Sequence, residues 1–243
     1  MANSRLIILS TMATSPVSKN LREILAGEDF KTKFEKKILT IKFQVMQALF
    51  SPVFEQYNLL EHPFYLAWNE GRLTKEQMAV YAAGYGSFIQ LISKGWQAAG
   101  EQAIAREEEE HYVLWKNFAE SLATKNIRAN ISQVHELVSS VKNCFGSYAG
   151  ALGALYAFEA QQPATASSKL EGLKKHYSNW QADETYFTIH QADFEEPALL
   201  EEKINSLSKE EKLVAALACE ETCSLLWNAL TGIMEHTGVQ CLN

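Results

Sequence analysis

Tyr148-Ala149-Gly150-Ala151-Leu152-Gly153-Ala154-Leu155-Tyr156-Ala157-Phe158-Glu159 runs for eleven uncharged residues before it meets a carboxylate. It lacks the β-branched side chains that favour strands, and it is too apolar to be a surface helix throughout. It therefore reads as a helix buried on all sides. Outward from it, apolar residues recur at three- and four-residue spacings from Leu21 onward, and alternating β-branched runs are scarce, which makes the fold class all-α. The spacing predicts helices over 29–49, 51–69, 74–97, 101–123, 131–143, 147–176, 183–194, 196–206 and 209–236 of a multi-helix bundle. Thr74 before Glu76 and Gln77, and Ser208 before Glu210 and Glu211, are helix-start patterns, while Gly71 and Gly238 mark helix ends. Residues 1–20, rich in Ser, Thr and Ala, are expected to be a loose leader before a single domain over 21–243.

The chain of 243 residues, 47% of them hydrophobic, has ample material for one core. Its 22 basic and 29 acidic residues give a net charge of -7, and no Lys/Arg cluster marks one face. That argues against nucleic-acid and anionic-membrane partners and for a small-molecule ligand. Cys144, Cys219, Cys223 and Cys241 are scattered without paired CxxC spacing, as reduced cytosolic thiols would be. The apolar stretch Leu6–Leu9 falls far short of the roughly 20 residues that span a bilayer. A soluble, cytoplasmic protein is the expectation.

Three segments carry chemistry. In Glu107-Glu108-Glu109-Glu110-His111, helical geometry places His111 beside both Glu107 and Glu108, so one of these carboxylates and the imidazole can reach one ion. Glu159 ends the buried apolar run, where an unpaired carboxylate is costly unless neutralised, hydrogen-bonded or metal-bound. In Tyr186-Phe187-Thr188-Ile189-His190-Gln191-Ala192-Asp193-Phe194-Glu195-Glu196, His190 and Asp193 are expected on one helical face with Glu196 close by. Carboxylates and imidazoles on separate helices are how bundles build di-iron and di-manganese sites, and oxygen and nitrogen ligands without thiolate suit those metals. Taken singly, each piece has a plainer reading: a solvated acidic face at 107–110, a hydrogen-bonded carboxylate at Glu159, a half-buried imidazole at His190. Only their conjunction points to a metal.

These segments, together with His62-Pro63-Phe64-Tyr65-Leu66-Ala67-Trp68, Gly71-Arg72-Leu73-Thr74-Lys75-Glu76-Gln77 and Phe158-Glu159 to Pro163, resemble a known group. It is the heme-oxygenase-like superfamily that contains the chlamydial protein associating with death domains, pyrroloquinoline-quinone synthase C, thiaminase II and the diiron oxygenases. The likeness runs in order over about residues 45–236. It implies a heme-oxygenase-like helical bundle, usually a homodimer, with two iron ions or an iron/manganese pair, dioxygen as co-substrate and an external reductant. For the nearest relatives it further implies a para-aminobenzoate synthase, serving folate biosynthesis, that consumes one of its own tyrosines. By position, Tyr65 matches the consumed tyrosine and Lys169 the proposed amino donor. The implied ligands are Glu107 or Glu108 with His111, then Glu159, then His190 with Asp193. Three departures accompany the match. Three residues are missing between the first Glu and His, Glu196 stands where the last histidine is expected, and Phe158 replaces a tyrosine.

Two other readings compete. A metal-free enzyme like thiaminase II or pyrroloquinoline-quinone synthase C would bind an aromatic or heterocyclic molecule, but no cysteine nucleophile lies between Tyr148 and Gln162, and the acidic chain suits a polycarboxylate poorly. A protein-interaction module would need an exposed amphipathic segment, which the pattern does not leave over.

Overall fold

The computed structural model describes residues 48–122 and 130–239, which lie in one compact unit. The leader expected at 1–20 and most of the helix expected at 29–49 fall outside the described residues. Among those described there is no strand: a helix over 48–56 (α1) is followed by α2 (Pro63–Asn69), α3 (Lys75–Ile89), α4 (Ile92–Ala98), α5 (Gln102–Ser121), α6 (Ser132–Cys144), α7 (Tyr148–Glu159), α8 (Gln162–His176), α9 (Thr185–His190), α10 (Glu195–Ser206) and α11 (Lys209–Thr237).

The predicted caps are present. Thr74 Oγ1 accepts from the Gln77 amide at 3.2 Å while Gln77 Oε1 accepts from the Thr74 amide at 2.8 Å, and Ser208 and Glu211 form the same reciprocal pair at 3.2 and 3.0 Å. Gly71 and Gly238 close helices with φ of 72° and 67°, a region that glycine enters without steric cost.

Four predicted helices prove to be interrupted or shorter. The span 51–69 breaks at Asn58, passes through a 3₁₀ turn at Leu59–Glu61 and restarts at Pro63, which has no amide to give and so suits a first helical turn. The span 74–97 breaks at Gln90–Leu91. The span 147–176 breaks at Ala160–Gln161, with Pro163 again in the new first turn. The span 183–194 contracts to Thr185–His190. His190 therefore ends α9, Asp193 sits in the following turn and Glu196 lies in the first turn of α10; they are not on one helical face. Apolar periodicity runs through each break because both halves face the same core.

That core is built around α7, in which every residue from Ala149 to Glu159 is buried. α11, α4, α10 and α6 pack against it. The approach of α11 is close enough that a Cβ at Gly153 would stand 2.0 Å from the carbonyl oxygen of Ala215. α11 is long and apolar enough to cross a membrane by composition alone, but 56% of its apolar window is buried inside the bundle, as in a core helix. Cys144, Cys219 and Cys223 are unbridged, and Cys241 lies outside the described residues.

Candidate metal centre and its tyrosine–lysine neighbour

The middle of α5 is amphipathic with Ala105, Glu108, Trp115 and Phe118 on its buried face. That phase separates the two glutamates that sequence spacing left equivalent: Glu108 is 3% exposed, whereas Glu107 is solvent-exposed at the rim. Glu108 Oε1 lies 2.6 Å from His111 Nδ1 and 3.9 Å from His190 Nε2, and the two imidazole rings stand 4.7 Å apart. One donor atom from each of Glu108, His111 and His190 fits within 4.8 Å of the others. His190 Nδ1 is 2.7 Å from the Tyr186 carbonyl oxygen and donates there, so Nε2 is the ring nitrogen left to face Glu108. Such orientation of the second ring nitrogen is what metal-binding histidines show.

Glu159 reaches the same region from the end of α7. It is 2% exposed, and its Oε1 has no hydrogen-bond partner. Burial, and then the charges of Glu196, Glu108 and Asp193, hold its carboxyl well above the usual range. Glu196 is pushed up to about 9 by burial and by Glu108, Asp193 and Glu107. Glu108 goes the other way: burial opposes its charge, but the His111 hydrogen bond and the neighbouring His190 imidazole outweigh it and lower the carboxyl. His111 rises correspondingly, because the Glu108 contact overcomes burial. Asp193 Oδ1 accepts from the Glu196 amide at 3.4 Å, tying the α9–α10 turn to the first turn of α10. A cleft of about 310 Å³ lined by His111, Ile189, His190, Ala192, Asp193 and Glu195 opens onto the cluster. Thus Glu108, His111, Glu159, His190, Asp193 and Glu196 converge, and Glu107 acts on the group only through its charge.

Tyr65 and Lys169 also meet. Lys169 Nζ stands 4.6 Å from the centre of the Tyr65 ring, and also faces Tyr81 and Phe187 at 6.0 and 5.8 Å. This lysine is 4% exposed, and burial lowers its amine to about 7. The Tyr65 hydroxyl lies 3.2 Å from that of Tyr81, and burial holds it protonated far above the ordinary tyrosine range. Several contacts fix α2 against α8. Trp68 Nε1 donates to the Lys169 carbonyl and Tyr177 Oη to the Trp68 carbonyl, both at 3.1 Å, and Asn69 Nδ2 donates to Ser168 Oγ at 2.7 Å. A Cβ at Gly172 would sit 2.6 Å from the Trp68 ring, so glycine is what lets the two helices close.

Sequence reasoning assigned no role to Tyr81, Tyr85, Trp115 or Gln162. All four are buried between the two clusters: Gln162 Nε2 donates to Tyr186 Oη at 2.8 Å, the Tyr186 ring packs 4.1 Å from His190, and Trp115 contacts Tyr186, Tyr81 and Tyr85 at 4.9, 5.8 and 6.0 Å. The four-residue spacing of Tyr81 and Tyr85 was the signal available for them. Phe158 packs edge-on against Phe88 at 5.1 Å.

The fold and this buried carboxylate–imidazole cluster define an all-α protein with the heme-oxygenase-like fold. Among solved structures, a TenA homologue from Pseudomonas syringae pv. tomato superposes with a TM-score of 0.67 at 15% identity, over 79% of this chain and 92% of its own. No family model matches the sequence. A 4-aminobenzoate synthase from Nitrosomonas europaea is 30% identical over 76% of this chain and 89% of its own length, and one from Chlamydia pneumoniae is 30% identical over 75% and 92%. The chain belongs to the 4-aminobenzoate synthase family.

Proposed function

We propose that the protein is a metal-dependent, oxygen-dependent 4-aminobenzoate synthase that draws on its own Tyr65 and Lys169. The observation that carries this reading is the coexistence, in one core, of a buried oxygen- and nitrogen-donor cluster and a buried amine 4.6 Å from a buried tyrosine ring. The donor set fits a pair of iron-type ions. Glu108, His111 and His190 would hold one, and Glu159, Asp193 and Glu196 the other; together four carboxylates match the charge of two divalent cations. Without cations, burial and the charges of neighbouring carboxylates hold Glu159 and Glu196 protonated, so loading displaces protons. A bound pair of iron ions, or of iron and manganese, supplies activation of dioxygen with electrons from an external reductant.

The chain's own groups do the rest. Burial keeps water from Tyr65, and Tyr81 and Tyr85 hold its hydroxyl. Lys169 presents an amine that is neutral in about half of the molecules near pH 7, where an exposed lysine would be almost wholly charged. Close packing holds that amine over the ring it would aminate, which removes the cost of bringing the two together. Glu196, where the family's last histidine is expected, makes the second position wholly carboxylate and so harder. A homodimer and a cytoplasmic location accord with the family resemblance.

The test is intact-mass analysis of the iron-loaded, reduced protein before and after exposure to air, with assay of released 4-aminobenzoate. The expected result is product together with a mass loss mapped to Tyr65, both abolished in Tyr65→Phe. Product formed catalytically with Tyr65 intact would contradict the self-consuming reading.

A further inference from the structure

The end of α7 holds a polar group that neither the ligand set nor the tyrosine–lysine pair uses. Trp96, on α4, is fully buried, and its indole Nε1 has no hydrogen-bond partner at normal distance; Glu159 Oε1 is in the same condition. Orphaned polar atoms in a native core are uncommon, and two of complementary type in one place ask for a common explanation. The indole is a donor only, and a carboxyl oxygen accepts whether the group is protonated or ionised. The Trp96 indole reaches the Glu159 side chain across the contact between α4 and α7.

The backbone is arranged to bring them together. α3 stops at Ile89, a turn closed by the Leu91 amide on the Phe88 carbonyl at 2.8 Å redirects the chain, and α4 then lies across α7. Gly95 permits this approach: a Cβ there would stand 2.5 Å from the tip of Phe145 and 2.7 Å from Leu155. Leu155 is one turn before Glu159 on α7, so the residue next to Gly95 is delivered to the carboxylate.

We propose that Trp96 is a positioning residue whose indole N–H holds the Glu159 carboxylate in the orientation that faces Glu108 and Glu196. It would act on a metal only through Glu159, and in that respect it rests on the metal-centre reading above. Donors behind a ligating carboxylate are typically worth roughly 10- to 100-fold in metal affinity.

The experiment uses the full chain in three forms: wild type, Trp96→Phe, and a form with 3-benzothienylalanine at position 96, which keeps the bicyclic shape and lacks the N–H. On metal-free protein, the indole ¹H–¹⁵N resonance of Trp96, identified by its loss in Trp96→Phe, is compared with that in Glu159→Gln. A shift is expected, and an unmoved resonance overturns the contact. Manganese affinity is then measured by competition, with circular dichroism as a check on the fold. Both position-96 variants are expected to bind about 10- to 100-fold more weakly than wild type. A benzothienyl form that binds as tightly as wild type overturns the positioning role. Wild-type protein that binds no manganese or iron overturns the metal reading itself, and this role of Trp96 with it, whatever the resonance does.

Discussion

Lys169 shows what one residue's surroundings do to its chemistry. In the sequence it follows Ser167 and Ser168 and could as well lie on the surface; its burial depends on Gly172 admitting the Trp68 ring from α2, which no local pattern announces. Because burial lowers the amine to about 7, the rate of 4-aminobenzoate release in a single turnover should rise with pH through that value. Lys169→Met should abolish product while leaving metal content unchanged, and Lys169→Arg, charged throughout, should not restore it. Glu108 was only half legible: spacing to His111 leaves it equivalent to Glu107, and on the helix Trp115 favours Glu108 as much as Phe118 favours Glu107, so it is the packing of α5 that selects Glu108 by burying it. Accordingly Glu108→Gln should lose metal and Glu107→Gln should keep it. His62 gives a stability prediction. Its Nδ1 accepts from the Phe64 amide at 3.1 Å, its Nε2 is 3.0 Å from Thr231 Oγ1, and burial lowers it to about 4. The unfolded chain therefore protonates first, and stability present above about 6.5 is lost as pH falls toward about 4. Denaturant titrations at pH 7 and 5 should differ by about 2 kcal/mol from this group, a contribution that His62→Asn, which can cap without titrating, should remove.

At the scale of elements, the sequence was informative where a side chain acts on its own helix. Thr74 and Ser208 cap as their patterns predict. It was uninformative at Gln90–Leu91 and Ala160–Gln161, where two helices in series keep one apolar phase. Those breaks matter, since the first turns α4 across α7 and the second leaves Glu159 at a helix end rather than mid-helix. The separation of α9 from α10 likewise lets His190 and Glu196 approach Glu108 from different directions. Among the described glycines, Gly153 admits the closest approach, that of α11 to α7. Gly153→Ala would drive a methyl group into the Ala215 carbonyl, with the helix backbone on both sides unable to yield locally. Thermal and denaturant unfolding should show a loss of about 1–3 kcal/mol, with Ala154→Gly as a comparison that costs only about 1 kcal/mol of helix propensity.

Over the whole molecule, the all-α class was legible because a 3.6-residue period recurs from Leu21 onward, and the family resemblance named ligand candidates on three segments that the fold brings close together. What the sequence could not supply was distance. Glu108, Glu159 and His190 are far apart along the chain and meet because α7 is enclosed by α4, α10 and α11 while α5 and α9, packed on each other, bring Glu108 and His190 together near Glu159. The same enclosure puts Tyr65 and Lys169 in the core beside them, so one fold serves both clusters. The most direct test of this account is elemental analysis of the full-length protein, purified after growth with iron and manganese, alongside His190→Ala and Glu159→Ala. The account predicts about two transition-metal ions per wild-type chain and a loss of metal in both variants, with helical content unchanged. Wild-type protein without metal, or variants that retain the full complement, would contradict it.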